Sequence, residues 1–341
     1  MALSTRTAAE LNAELTAYSE NYLNDTPLNQ AWTKTPLLDY VLGDAQEADG
    51  GNELVLPVMD GATPSGGPYG VGSDITLARK NPFTQARYQF AQLYEDMYID
   101  DVLWDKANGG GARINILEQT LDYSRLAIKE LVCRMLCAAT TGGATVGRDD
   151  GSTHIGSLIP MIDSTGAIGG LNPATTGQTW WAAGEDSSVG SFTTNGPAAM
   201  RTAFLNVTKY QRLGTPDVIF CSVTAYKAYE ASGLNLATLN FAGGKPSGTD
   251  IGVAGSMTYK GIPLVYEPHL DALEASIGGI MLWLNTRSIK LYPKAGKVFT
   301  MKPWTDMLAG GKFGRGSAIQ FTAQLGAQAR APNYKMAGIT L

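Results

Sequence analysis

Two histidines, three cysteines, two glycine–lysine loops and one knot of carboxylates are the residues whose types could do chemistry. His154 and His269 lie far apart in the chain, with no partner at metal-ligand spacing, and read as loop histidines. Cys133 and Cys137 stand one helical turn apart. Two thiolates of a zinc site would need further thiolates or imidazoles, and Cys221 alone does not suggest them. The pair therefore reads as small apolar residues on a packed helix face, and no metal is expected. "AGGKPSG" at 242–248 and "AGGKFGRG" at 309–316 resemble phosphate loops, but Pro246 and Phe313 stand where Ser or Thr should hold magnesium. No G-x-S-x-G elbow is present. "YEDMYIDD" at 94–101 gathers four carboxylates, which make either a cation site or, the favoured reading, a solvated edge. Trp180–Trp181 could form a ligand platform, but adjacent aromatics in a Gly/Thr-rich loop fit better as anchors into a core or a partner. No catalytic, cofactor-binding or metal residue emerges, and the expectation is a protein that is not an enzyme and needs no cofactor.

The elements around these residues explain more. An N-terminal helix capped by Ser4 or Thr5 would carry Leu11, Leu15 and Tyr18 on one side, followed by an irregular arm through Pro27 and Pro36. Residues 52–100 read as one long hairpin. "NELVLPVM" goes out and "FTQARYQF" returns, around a tip at 60–74 with five glycines and two prolines. Such a hairpin has no core of its own and should need a neighbour to lie on. From Ala112 to Thr141 there is neither Gly nor Pro. Leu117, Leu121, Ile128, Leu131 or Val132, Met135 and Ala139 recur at helical spacing, which predicts a helix about 40 Å long. Asn195–Gly196–Pro197 is expected to open a second helix running to Gly214. "PDVIFCS", "MTYKGIPLVYEP", "GGIMLWLN", "RSIKLYP" and "AIQFTAQLGAQA" read as strands.

Composition narrows the class. The chain has 341 residues, 44% of them apolar and 17% charged, which suits a folded protein with a sizeable core. No apolar run approaches the ~20 residues of a membrane helix, and the first thirty residues do not read as a secretory signal. Three cysteines do not make a disulfide framework, so reduced thiols in a cytoplasmic setting are expected. The net charge of −5 is uneven. Residues 1–50 hold two basic and eight acidic side chains, a charge of −6, whereas residues from Val298 onward hold five basic and one acidic, a charge of +4. Neither end is polybasic, so nucleic acid is not expected to bind to a basic patch.

The order of blocks resembles the major capsid proteins of tailed bacteriophages, those with the Hong Kong ninety-seven fold. "NPFTQARYQF" from Asn81 looks like the return strand of that family's extended loop. "INILEQTLDYSRLAIKELVCRML" from Ile114 looks like its spine helix. "IGSLIPMID" from Ile155 and "GGLNPATTGQTWW" from Gly169 are similar to its entry into the central part. "TPDVIFCSVTAYKAYEASG" from Thr215, "YKGIPLVYEP" from Tyr259 and "MLWLNT" from Met281 look like its axial core. The resemblance implies an α+β phage capsid fold: an N-terminal arm (1–50), an E-loop (51–104), a P-domain with the spine helix (105–185), an A-domain (186–297) and terminal P-domain strands (298–341).

The resemblance also implies function. Copies of the chain would assemble into hexamers and pentamers of an icosahedral shell around double-stranded DNA, without sequence-specific binding and without a membrane. The shell would form in the bacterial host cytoplasm and be found in the virion, with portal and decoration proteins as further partners. No helical scaffolding segment is seen at the start, so a separate scaffolding protein or none is expected. The crosslinking of a lysine to an asparagine known in some relatives is not carried over: Lys80 lies on the loop, but no asparagine can be assigned. Subunit-interface candidates are Leu11, Leu15, Trp32, Tyr69, Arg79, Arg87, Tyr88, Trp180 and Trp181. Two rival readings are an encapsulin-like nanocompartment shell and an α/β enzyme with an unrecognised site.

Overall fold

The computed structural model describes residues 33–59, 68, 70–71, 83–106, 110–138, 154–210, 214–232, 257–308 and 311–341. They fall into two compact units, each built from separate stretches of chain.

The smaller unit takes Thr33 and residues 92–131 and 296–322 among those described. It contains β3 (Ala91–Asp100), the short helix α2 (Asp101–Lys106) and most of the long helix α3 (Gly110–Leu136). It also holds β11 (Thr300–Met301), β12 (Thr305–Asp306) and β13 (Gly314–Ala327) as far as Thr322. β11 and β12 pair antiparallel with β13, and β3 pairs with it too. Ile99 is the buried centre, with Trp104, Leu117 and Trp304 packed on it. The second glycine–lysine loop has a structural explanation here. A Cβ on Gly314 would come within 2.5 Å of the Ile99 carbonyl oxygen, so glycine lets the turn enter β13 hard against β3.

The larger unit takes residues 34–91, 132–295 and 323–341. Helix α1 (Pro36–Gly43) starts on a proline, whose missing N–H costs nothing there, and buries Leu37, Leu38 and Val41. A seven-stranded sheet has the order β4 (Gly184–Asp186), β14 (Tyr334–Thr340), β9 (Gly279–Leu284), β6 (Val218–Cys221), β8 (Ile262–Tyr266), β7 (Thr258–Tyr259). β5 (Gly190–Ser191) also pairs with β14. All six residues of β9, GIMLWL, are buried, as expected for a central strand covered on both faces. β6 and β8 are parallel, with α6 (Val223–Ala231) in the connection between them. One face of the sheet packs with α5 (Phe192–Thr208) and α6 through Phe192, Met200, Tyr229, Met281, Trp283 and Met336. Gly184 sits opposite Tyr334, where a Cβ would lie 2.2 Å from the ring. A short helix, α4 (Leu158–Met161), carries Ser157 as its N-cap.

Three expectations need correction. The span 52–100 is not one hairpin: β1 (Glu53–Met59) pairs with β2 (Phe83–Gln89), but β3 leaves to pair with β13. The terminal block 298–341 is not one set of strands either, because β14 joins the seven-stranded sheet beside β9. Its residues Tyr334–Ala337 are all buried, which fits an inner strand. The second helix starts at Phe192, so Pro197 lies inside it, and it ends at Thr208 rather than Gly214.

Candidate assembly interface

The β1–β2 ladder alternates strictly, and its two faces differ in kind. Leu54↔Tyr88, Leu56↔Ala86 and Val58↔Thr84 form the inner face, on which Leu54, Leu56, Val58, Ala86 and Tyr88 are buried. Leu54 and Leu56 lie over Gly326 of β13, where a Cβ would come 2.8 Å from Leu56 Cδ1. Tyr88 Oη donates to the Ala327 carbonyl at 3.1 Å and accepts from the Ala327 N–H at 3.2 Å. The Arg87 N–H donates to the Gly169 carbonyl. The described limbs thus rest on their own subunit, contrary to the expectation that they need a neighbour there.

The outer face is open. Val55↔Arg87, Pro57↔Gln85 and Met59↔Phe83 are the cross-strand pairs on it. Phe83 is 62% exposed, Met59 55% and Val55 46%. The exposed apolar side chains therefore cluster at the far end of the two-stranded ladder.

The sequence-predicted interface residues separate accordingly. Arg87 is half exposed and faces Glu53 at 4.0 Å, an exposed pair of little energetic weight. Tyr88 is a core residue, and burial pushes its hydroxyl far above the usual tyrosine range. Trp181 is also wholly buried, with Nε1 donating to the Ile168 carbonyl at 3.1 Å. Their burial in the subunit removes both from the interface candidates. Trp180 stacks edge-on against Trp181 at 5.6 Å, and its Nε1 donates to the Gly177 carbonyl. The tryptophan pair therefore anchors its loop into the core. Leu11, Leu15, Trp32, Tyr69, Arg79 and Lys80 lie outside the described residues, as do the loop at 242–248 and the hairpin tip at 60–67 and 72–74. The outer pairs Val55, Met59 and Phe83 were missed, although "VLPVM" and "FTQARYQ" alternate; the alternation fixes two faces but does not say which is covered.

The fold is shared with solved structures of other proteins. The capsid asymmetric unit of cyanophage A-1(L) superposes with a TM-score of 0.63 at 16% identity, covering 94% of this chain and 97% of that one. A structure from Mycobacterium phage Cain gives 0.54 at 14% identity, covering 97% of each chain. The holo-SrpI encapsulin complex of Synechococcus elongatus PCC 7942 gives 0.58 at 10% identity, covering 99% of this chain and 97% of that one. This chain has the Hong Kong ninety-seven capsid fold. No family model and no curated protein matches its sequence. No described helix is long and apolar enough to cross a membrane.

A second site lies inside the larger unit. Cys133 and Cys137 project from the end of α3 toward Glu267, the residue that follows β8, and the three ligand atoms lie within 4.8 Å of one another. Glu267 is wholly buried and caps a two-turn 3₁₀ helix, Pro268–Leu273. One of its oxygens accepts from the Leu37 N–H at 2.8 Å. The other meets the Cys133 thiol at 3.6 Å and contacts His269 Nδ1. Its neighbour Cys137 and burial both push the Cys133 thiol far up. The four carboxylates of "YEDMYIDD" form no comparable convergence among the described residues. That stretch makes β3 and the start of α2, where Asp100 accepts from the Val102 N–H.

Proposed function

We propose that this chain is the coat subunit of a closed icosahedral shell, assembling through hexameric and pentameric capsomers around double-stranded phage DNA. The observation that carries the reading is the end-to-end match with capsid chains: nearly all of this chain and nearly all of theirs superpose. A part-chain match would leave room for an added catalytic domain; a match of this extent favours a structural, non-enzymatic role. The exposed apolar pairs of the β1–β2 ladder supply a surface for a neighbouring copy, and the +4 charge of the C-terminal stretch complements the −6 of residues 1–50. The division into arm, E-loop, P-domain and A-domain belongs to the same proposal, as do scaffolding, portal and decoration partners and location in the virion.

A shell enclosing protein cargo is the second reading, favoured by the encapsulin match, whose TM-score lies between those of the two phage structures. The contents of purified particles distinguish the two. Nuclease-protected double-stranded DNA inside the shell supports the phage reading; a stoichiometric protein guest and no DNA supports the compartment.

A further inference from the structure

The buried thiols at the end of α3 are not explained by packing alone. We propose that Cys133, Cys137 and Glu267 form a structural zinc site, with His269 supporting Glu267, that ties the last turn of α3 to the exit of β8. The two cysteines are held on one helix face, with the Cys137 N–H donating to the Cys133 carbonyl at 3.0 Å. With Zn–S about 2.3 Å and Zn–O about 2.1 Å, tetrahedral ligands lie about 3.6 Å apart. Cys133 Sγ and Glu267 Oε1 are 3.6 Å apart. The His269 side chain is 5% exposed and contacts the same Glu267 oxygen through Nδ1, outside the three-donor cluster, where it orients that carboxylate.

The surroundings suit a metal better than a thiol cluster. Glu267 is a wholly buried acid met by a backbone N–H, a thiol and an imidazole. A buried carboxylate needs hydrogen bonds and opposite charge, and a divalent ion would add to what the His269 contact offers. The Leu37 N–H on the second Glu267 oxygen is the outer support that orients a ligating carboxylate. Burial of all three donors keeps the site out of reach of substrate, which favours a structural over a catalytic role. Zinc is the class of ion implied, since two thiolates with one carboxylate exclude magnesium and calcium.

The test uses the full-length protein under reducing conditions. Elemental analysis should find about one zinc per chain after growth in zinc-supplemented medium. After chelation, Co²⁺ should restore a thiolate-to-cobalt charge-transfer band, and Zn²⁺ should displace it and raise the melting temperature. Cys137→Ser should weaken Co²⁺ binding at least tenfold. Cys221→Ala, which removes a thiol on β6 outside the cluster, should leave the band intact. If Cys137→Ser does not fold, the wild-type and Cys221→Ala measurements decide. A folded wild-type protein that takes up neither metal overturns the proposal, as does loss of the band in Cys221→Ala or an unchanged band in Cys137→Ser.

Discussion

Phe83→Asp is the sharpest perturbation of the outer hairpin face. Phe83 is 62% exposed opposite Met59, itself 55% exposed. An aromatic side chain offers roughly 200 Å², so about 120 Å² remains to be covered by a neighbour. At ~25 cal/mol per Å² this is about 3 kcal/mol per copy. If a neighbour covers only half of it, the loss is still about 1.4 kcal/mol, or tenfold in each contact. The aspartate adds the cost of desolvating a charge. Because the side chain makes little use of its own subunit, folding stability should change by no more than ~0.5 kcal/mol. Sedimentation velocity across a concentration series, with a thermal melt of the unassembled subunit as control, separates the two effects. The variant should need at least tenfold more protein to assemble, with an unchanged melt. Assembly at the wild-type threshold would refute the assignment of this face to a subunit contact.

Other expected outcomes follow from the interior. Arg330 is buried and donates to the carbonyls of Pro160, Met161, Asp163, Thr165 and Gly166, so Arg330→Met should cost at least ~3 kcal/mol in denaturant melts by stranding them. Lys335 bridges Asp163 at 2.9 Å and Glu185 at 2.8 Å, and Lys335→Met should cost about 3–5 kcal/mol in the same melts by leaving two carboxylates unpaired. Burial alone would raise the Asp163 carboxyl, but the Thr165 N–H and Lys335 hold it below the usual range. Its folded value is depressed, so its contribution is full above about pH 5 and is lost as pH falls through about 4 and below. Melting temperature should drop over that window in wild type and less in Asp163→Asn. Removing residues 1–32 should weaken shells severely, while ~1 M salt should weaken them only modestly, if apolar anchors dominate the arm's docking; light scattering reads both.

Elements whose pattern is local were legible in the sequence. The limbs of the hairpin follow from period-two alternation, and β6 and β9 from short apolar runs between turns. The long helix was expected over 112–141 and spans Gly110–Leu136, taking in two glycines read as lying before it. Ile128, Val132 and Leu136 are its buried stripe, while Leu117, Leu121 and Leu131 are only partly buried. What was not legible is pairing across long chain separations. Nothing local tells β14 to enter the sheet of β9, or Glu267 and His269 to meet cysteines about 130 residues earlier. The same distance hid the inner face of the hairpin, because nothing local to Gly326, inside a stretch that reads as a strand, says that Leu54 and Leu56 lie over it.

The central claim is tested most directly by electron microscopy of the purified protein, with nuclease treatment before its contents are extracted. The account predicts closed particles of icosahedral symmetry that protect double-stranded DNA when made in the presence of the packaging machinery, and closed or capsomer-sized assemblies without it. A protein that remains a folded monomer under every condition, with or without a scaffold, would contradict it.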